Sequence, residues 1–429
     1  MKRNLVRRLA AVLALVSAAA LWAAPAALGE NVHLVVATWG NTGRLVESLV
    51  ETYRETNPHV TIEVIENGAF EVHNDVVLAR TIGGLQLDII YASSSSGLHF
   101  VPSGLIEPLN DYLERDGIDL SDYPRLVIES VDIYGDGTIW GLPFVAFNVM
   151  FNYNKDLFDG AGVEYPTPDW RWEHEFVDAA RKLTRDVSGD GEPDVYGARF
   201  DIVQSHMAYG PYLAWGARVL EPGYREAAFD SPESVRFLEF WHELVNGRRI
   251  VAQGLGSIAA GDVAMAILNM DSRTVTQYHR DVQVMPKGPT GETYSYGDTN
   301  NWLLMAGSSN KEEAWEFLKF LWREAPRYWS DEGIRLPITP YMDPAEWQYA
   351  PSSPAFQAGM GPANHMVYFD LIQTARIWPR VAETELRRQV WEVLVPRVFR
   401  DELSPAATAG EMQRIGQALL DEWWGSIGP

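Results

Sequence analysis

Residues 31–96 read NVHLVVATWGNTGRLVESLVETYRETNPHVTIEVIENGAFEVHNDVVLARTIGGLQLDIIYASSSS, and this stretch decides the fold. Asn31 to Thr38 is rich in Val and Leu and predicts a buried strand, ending at Trp39-Gly40-Asn41. Leu45, Leu49, Val50 and Tyr53 recur at helical spacing until Asn57-Pro58 stops the helix. Val60 to Ile65 alternates as a strand does. Val72, Val76, Val77 and Arg80 suggest a second helix, closed by Gly83-Gly84. Leu87 to Tyr91 is a third apolar strand, followed by the Ser93 to Ser96 loop. Strand, helix, strand, helix, strand implies a parallel sheet with helices on its faces. Ligands of such sheets sit outside the carboxyl ends of the strands. Two of those ends carry Trp39-Gly40-Asn41 and Tyr91-Ala92-Ser93-Ser94.

The same α/β style continues. Val149 to Tyr153 predicts a strand, and Glu173 to Leu183 a helix with Phe176, Ala179, Ala180 and Leu183 inward. Ser231-Pro232-Glu233-Ser234 starts a helix with Pro in its first turn. Val263 to Leu268 and Val282 to Met285 are short strands. Asn310 caps a helix that turns Ala314, Phe317, Leu318 and Leu321 inward, with Glu313 three residues after the cap. From Glu383 onward two closing helices are expected, parted near Leu403-Ser404-Pro405. The 429 residues suffice for two or three domains at ~150 residues each. No Gly/Ser/Pro tether divides them, so two intimate lobes with several chain crossings are expected.

The first thirty residues read as an address. Lys2, Arg3, Arg7 and Arg8 precede the apolar run Leu9 to Leu21, and small residues follow up to Gly29. This is the layout of a cleaved signal peptide over residues 1–29. The run is shorter than the ~20 residues of a membrane span. An exported, periplasmic or extracytoplasmic protein without membrane insertion follows. The leader holds four positive charges and no negative one, so its removal takes the formal charge from −23 to −27. So acidic a surface repels phosphate backbones, and nucleic acid is not an expected partner. Cysteine is absent, which excludes disulfides, thiolate metal sites and a lipobox anchor.

Catalytic motifs are missing. There is no P-loop, Gly135-Asp136-Gly137 and Gly189-Asp190-Gly191 lack the third glycine of a dinucleotide fingerprint, and Gly256-Ser257 lacks the G-x-S-x-G frame. His242-Glu243 begins like a zincin helix, but Asn246 stands where the second ligand belongs. No cofactor is required by any motif. One acidic loop is distinctive: Asp186, Ser188, Asp190 and Asp194 fall at positions one, three, five and nine, with Gly191 at position six. That spacing fits either a structural Ca²⁺ clip or a polar turn, and Gly197 replaces the bidentate Glu of a complete calcium loop.

The sixteen tryptophans ask for a reason. Sugars pack their C–H faces on aromatic rings and need amides and carboxylates for their hydroxyls. Trp39 lies beside Asn41, Trp302 follows Asn300-Asn301, Trp215 follows Tyr209 and Tyr212, Trp378 precedes Pro379, and Tyr91 heads the serine loop. Trp241, Trp315, Trp322 and Trp391 fall within helical segments and are expected in the core.

Seven motifs in order resemble the family-1 extracellular solute-binding proteins of ABC importers, the maltose-binding-protein-like group. Leu87-Asp88-Ile89-Ile90-Tyr91 resembles its "PDI" strand, with Leu87 in place of Pro. Gly104 to Leu109 matches "GLLEPL", and Trp140-Gly141-Leu142-Pro143 with Tyr153 to Phe158 matches "YGLP…YNKDLF". Pro168 to Trp172 with Phe176 resembles the "P-W-E-F" helix start. Ala260 to Met265 matches "GkvAM", Met285 to Gly288 matches "lPkG", and Asn310 to Leu321 matches "S-nKeeAweFlkfl".

The resemblance implies a periplasmic-binding-protein-like α/β fold: two α/β lobes, a ligand cleft between them and several hinge crossings. The expected N-terminal lobe is 30–145 plus 288–338, and the C-terminal lobe is 146–287 plus 339–429. The crossings are expected near Phe144 to Asn148, Lys287 to Thr293 and Pro337 to Tyr341. Hinge closure around the ligand is the motion such proteins use. The resemblance implies ligand contacts at Asn41, Tyr91, Ser94, Asp271, Trp302 and Trp378; with the aromatic and amide residues of the same regions, the expected ligand contacts are Trp39, Asn41, Tyr91, Ser94, Asn148, Trp215, Asp271, Asn300, Trp302 and Trp378. Asp271 falls near a usual Trp that is missing here, and Phe147 replaces an acidic residue of the maltose binder. The partners implied are a mono- or oligosaccharide and the transmembrane subunits of an ABC permease, and the protein is expected to be monomeric. A secreted glycoside hydrolase or lyase would share the export, acidity and aromatic residues. A receptor for glycerol phosphate or another non-sugar solute is the rival within the binding class.

Overall fold

The computed structural model describes residues 31–427, apart from 41, 69, 96–99, 255–259, 270–277, 333–335, 338–362 and 365. The leader, Asn41, Asp271 and most of the third expected crossing lie outside the described residues.

The opening stretch folds as its pattern dictates. Strand β1 (Val32–Thr38), helix α1 (Thr42–Thr56), strand β2 (Val60–Glu66), helix α2 (Phe70–Ile82) and strand β3 (Ile89–Ser93) follow in order. β1 pairs in parallel with β2 and with β3. Asp88, just before β3, is fully buried and ties this sheet together. Its carboxylate accepts from Val35 N at 2.8 Å, Gln86 Nε2 at 2.8 Å and Ser308 Oγ at 2.5 Å.

Strand β4 (Leu142–Asn154) is the longest of the sheet. At ~3.3 Å per residue it runs about 43 Å, far enough to belong to both halves of the molecule. Leu142 to Asn148 pair with the antiparallel β9 (Ser295–Leu304), and Val149 to Asn154 pair with β7 (Met265–Asn269) and β8 (Arg280–Gln283). The switch of partner falls between Asn148 and Val149. β3 joins β9 on the first side. On the second side β7 joins the short parallel pair β5 (Ala198–Arg199) and β6 (Val251–Ala252). Along the main path the order is β2-β1-β3-β9-β4-β7-β5-β6. Two further short strands dock on it: β10 (Leu336–Pro337) on β4 at Val145 and Ala146, and β11 (Ala375–Arg376) on β9.

Two large apolar clusters flank the switch. The first collects Val36, Leu45, Ile89, Tyr91, Phe144, Trp302, Trp315, Phe317, Leu321 and Trp322. The second collects Phe151, Trp172, Phe176, Phe200, Trp215, Trp241, Trp378 and Trp391. Trp241, Trp315, Trp322 and Trp391 are thus in the core, as their helical spacing predicted. In the second cluster Trp172, Phe200 and Trp241 meet edge to face with centroids 5.2–5.5 Å apart, the geometry that ring quadrupoles favour. Core packing, more than ligand stacking, accounts for the high Trp count.

The two faces of β9 have different neighbours because its side chains alternate. Gly297 and its partner Asn148 point to the back, where helix α3 (Arg125–Val131) lies. A Cβ at Gly297 would come 2.7 Å from Leu126 Cδ2 and Asn148 Oδ1 and 3.0 Å from Ala375 Cβ, so a larger residue would push these neighbours aside. Tyr296, Asp298 and Asn300 point to the front.

Candidate functional site

The front of β9 faces the carboxyl ends of β1 and β3, where sheets of this kind hold ligands. Trp39 leaves β1 half-buried, its ring over Tyr91 with centroids 4.0 Å apart and planes inclined by 32°. His73, from α2, is buried behind Trp39 with centroids 5.0 Å apart. Burial pushes the His73 imidazole down to about 4, against the pull of nearby carbonyls at Thr38 and Tyr91, so the ring is neutral at pH 7. Asn300 Nδ2 donates to the Tyr91 hydroxyl.

Beside this aromatic stack lies a buried chain of charges. Arg380, in the segment after β11, donates through Nη2 to Ser94 at the end of β3, and to Asp298 Oδ1 at 3.1 Å. Its Nη1 donates to Glu383 Oε2 at 2.5 Å. Glu383 Oε1 accepts from Arg387 Nη1 at 2.9 Å. Arg387 Nε donates to Ser205 Oγ at 2.9 Å, and Ser205 Oγ donates to Glu392 at 2.8 Å. Ser205 starts helix α4 (Ser205–Ala214) of the second half, so the chain of bonds crosses from the first half to the second.

Burial pushes the Asp298 carboxyl above the ordinary carboxylate range, while Arg380 pulls it back toward ionisation. Burial also works against the charge on Arg380, but the Glu383 and Asp298 carboxylates more than offset it and hold the guanidinium protonated. His206, beside Tyr296 at a centroid distance of 6.0 Å, is pushed down to about 4 by burial and then by Arg387.

Of the expected contact residues, Trp39, Tyr91, Ser94 and Asn300 come together here. Trp302 does not offer its ring. It is fully buried, stacked on Phe144 at 5.1 Å and 19° and flanked by Tyr91 at 5.1 Å. Trp215 packs on Phe240 at 4.9 Å and Phe237 at 5.6 Å in the second core. Trp378 is also fully buried, between Tyr209 at 4.8 Å and Trp391 at 6.0 Å. Asn148 points to the back, where its Nδ2 donates to Tyr368 O at 3.2 Å. All four side chains are enclosed by protein atoms in this structure. A polar neighbour or a loop position in the sequence does not reveal which face of a strand or helix a ring enters.

Arg380, Asp298, Glu383, Arg387, Ser205, His73 and His206 escaped the sequence reading. A signal existed for two of them: Glu383 and Arg387 are spaced by four, which puts opposite charges on one helical face, while Arg380 lies before that helix.

The acidic loop closes on itself. Asp194 Oδ2 accepts from Val187 N at 2.6 Å and Ser188 N at 2.7 Å. Asp186 accepts from Gly189 N at 2.6 Å and Gly191 N at 2.8 Å, and Asp190 from Glu192 N at 2.9 Å. The Ser188 hydroxyl donates to Asp186 at 3.4 Å. Among the described residues no three acidic or histidine side chains converge as a metal-sized group.

A groove of about 650 Å³ lies between α3 and the 216–224 loop, and Trp378 and Arg380 also line it. Besides Arg380, its cations are engaged locally: Arg125 with Glu129 at 2.5 Å, Arg218 with Glu221 at 3.5 Å, and Arg376 over the Tyr294 ring at 5.1 Å.

Residues 38–327, from the end of β1 into the helix α5 (Lys311–Glu332), match the family model of the bacterial extracellular solute-binding proteins. The chain belongs to that family. A binding protein of Brucella abortus is 26% identical over 342 residues, which span 74% of this chain and 78% of that one. The sn-glycerol-3-phosphate-binding periplasmic protein UgpB of Salmonella typhimurium is 26% identical over 147 residues, 34% of this chain and 33% of that one. Among solved structures, the substrate-binding protein Lmo0181 of Listeria monocytogenes in complex with cycloalternan superposes with a TM-score of 0.73 at 21% identity, covering 91% of this chain and 99% of that one. UgpB of Mycobacterium tuberculosis with glycerophosphocholine gives 0.72 at 18% identity, covering 90% and 98%. At such identities the likeness establishes the two-lobed solute-binding fold. Among the described residues, no helix of this family member is long and apolar enough to cross a membrane.

Proposed function

We propose that this chain captures a sugar at the front seam and passes it unchanged to the transmembrane subunits of an ABC importer, after export by its leader. The observation that carries this reading is the cluster at the strand ends: the Trp39–Tyr91 pair for a C–H face, with Asn300 and Ser94 beside it for hydroxyls. The cluster lies where β1 and β3 end and where Arg380 reaches across from the other half, so a solute held there would touch both lobes. Relatives of the same fold hold cycloalternan, tagatose and maltotriose, which supports a carbohydrate here. Binding without chemistry accords with the family.

Closure requires that the sugar bind the closed form more tightly than the open one. The test is a thermal-shift and tryptophan-emission screen against mono- and oligosaccharides, with product analysis of each mixture. A saturable shift with intact sugar supports capture. Cleaved sugar would favour the hydrolase instead.

A further inference from the structure

The charges at the seam are already matched. Arg380 and Arg387 carry two positive charges, and Asp298 and Glu383, in direct ion pairs with them, two negative ones; Glu392 joins the same chain through Ser205, so no cation in it is left without a carboxylate. Arg380 is 5% exposed, Asp298 3% and Glu383 2%, so water does little to screen or replace these contacts. Across the seam Arg380 meets, besides Asp298, a neutral hydroxyl, that of Ser94. Its buried Nε has no hydrogen-bond partner among the described residues. A neutral oxygen could accept from that donor without upsetting the balance of charge.

A phosphate or carboxylate brought to this seam would meet a guanidinium whose charge is spent on two carboxylates about 3 Å away. It would lose its hydration and gain no uncompensated cation among the described residues. A hydroxyl-bearing solute asks only for dipoles, and Ser94, Asn300, Tyr91 and the two carboxylates supply them. We infer that the seam selects an uncharged, hydroxyl-bearing solute over anionic ones, and that Glu383 and Asp298 are the residues that set this preference by neutralising Arg380. The inference rests on the reading above, that the solute is held at this seam.

The experiment uses the purified protein with D-tagatose, maltose and maltotriose as neutral probes, and sn-glycerol 3-phosphate and inorganic phosphate as anionic ones. Calorimetry should find saturable binding of a neutral probe by the wild type and none of either phosphate at millimolar concentration. Glu383→Gln leaves two arginines facing one carboxylate, and Asp298→Asn removes the other anion from Arg380. Either variant, shown to be folded by circular dichroism, should gain at least tenfold in affinity for the phosphate probes. Two results would overturn the inference: a wild type that binds a phosphate as tightly as any neutral probe, or two folded variants that stay blind to phosphate. A wild type blind to every neutral probe, with variants that gain phosphate, would remove the sugar reading and leave the charge preference standing. Should neither variant fold, the wild-type comparison of neutral and phosphate probes decides alone.

Discussion

The indole of Trp39 lies over the phenol ring of Tyr91, 4.0 Å between centroids and 32° between planes. Trp39 leaves one parallel strand and Tyr91 sits within its neighbour, so the pair marks where two strand ends meet the seam. Trp39 is half-buried and Tyr91 almost wholly so, which divides their roles. Trp39→Ala should weaken sugar binding by about tenfold, since a stacking ring contributes ~0.5–1.5 kcal/mol beyond its buried area. The melting temperature should move little. Calorimetry on the folded variant checks this, and unchanged affinity would place the sugar elsewhere.

Tyr91→Phe keeps the ring and removes the hydroxyl that accepts from Asn300. Both groups are buried, so the amide loses its partner without gaining water. The cost should be about 1–2 kcal/mol of stability in urea unfolding. A neutral effect would mean that another group already serves the Asn300 amide.

Trp302 is fully buried, and this sets the expectation for its mutants. Trp302→Ala should destabilise by ~3–5 kcal/mol, the range for truncating a buried aromatic. Trp302→Phe should keep both fold and sugar affinity, because Phe144 and Tyr91 still enclose the smaller ring. A folded Trp302→Phe that has lost its ligand would restore the residue to the site.

The opening βαβαβ stretch was legible because its apolar periods change from two to helical and back within sixty residues, punctuated by Asn57-Pro58 and Gly83-Gly84. The helical tryptophans were legible for the same reason. Strand position was legible too, as Trp39, Tyr91 and Ser94 fall at or beside strand ends. What pattern could not supply was facing. Asn148 and Phe147 are neighbours, yet only Phe147, paired with Asp298, is on the front of the sheet. Arg380 and Ser94 are 286 positions apart, and no local pattern links them.

His73 gives the pH dependence a sign. Its imidazole is pushed from 6.5 down to about 4 by burial, so between these values the unfolded chain binds a proton that the folded chain does not. Stability is therefore full above pH 6.5 and lost as the pH falls toward 4. From pH 7 to pH 5 the loss from this ring should be about 2 kcal/mol. His206, shifted in the same direction, adds to the slope. Urea unfolding at the two pH values, on wild type and on His73→Asn, tests this. The variant should lose less than the wild type, and equal losses would assign the slope to other groups.

Arg380 and Glu383 should prove worth more together than either measurement alone suggests. Arg380→Met leaves Glu383 with Arg387 and takes from the buried Asp298 its cation. Breaking a buried pair on one side costs ~3–5 kcal/mol, chiefly through the charge left behind. Glu383→Leu takes from Arg387 its carboxylate and leaves Arg380 with Asp298 alone. The double variant removes one charge of each sign, and takes from Asp298 and Arg387 their direct ion-pair partners. Its loss should fall well short of the summed single losses, with an interaction energy of about 1–3 kcal/mol. Urea unfolding of the three variants gives the cycle. Additive losses would mean that the two side chains act independently, and the short Nη1–Oε2 contact would then carry no energetic coupling.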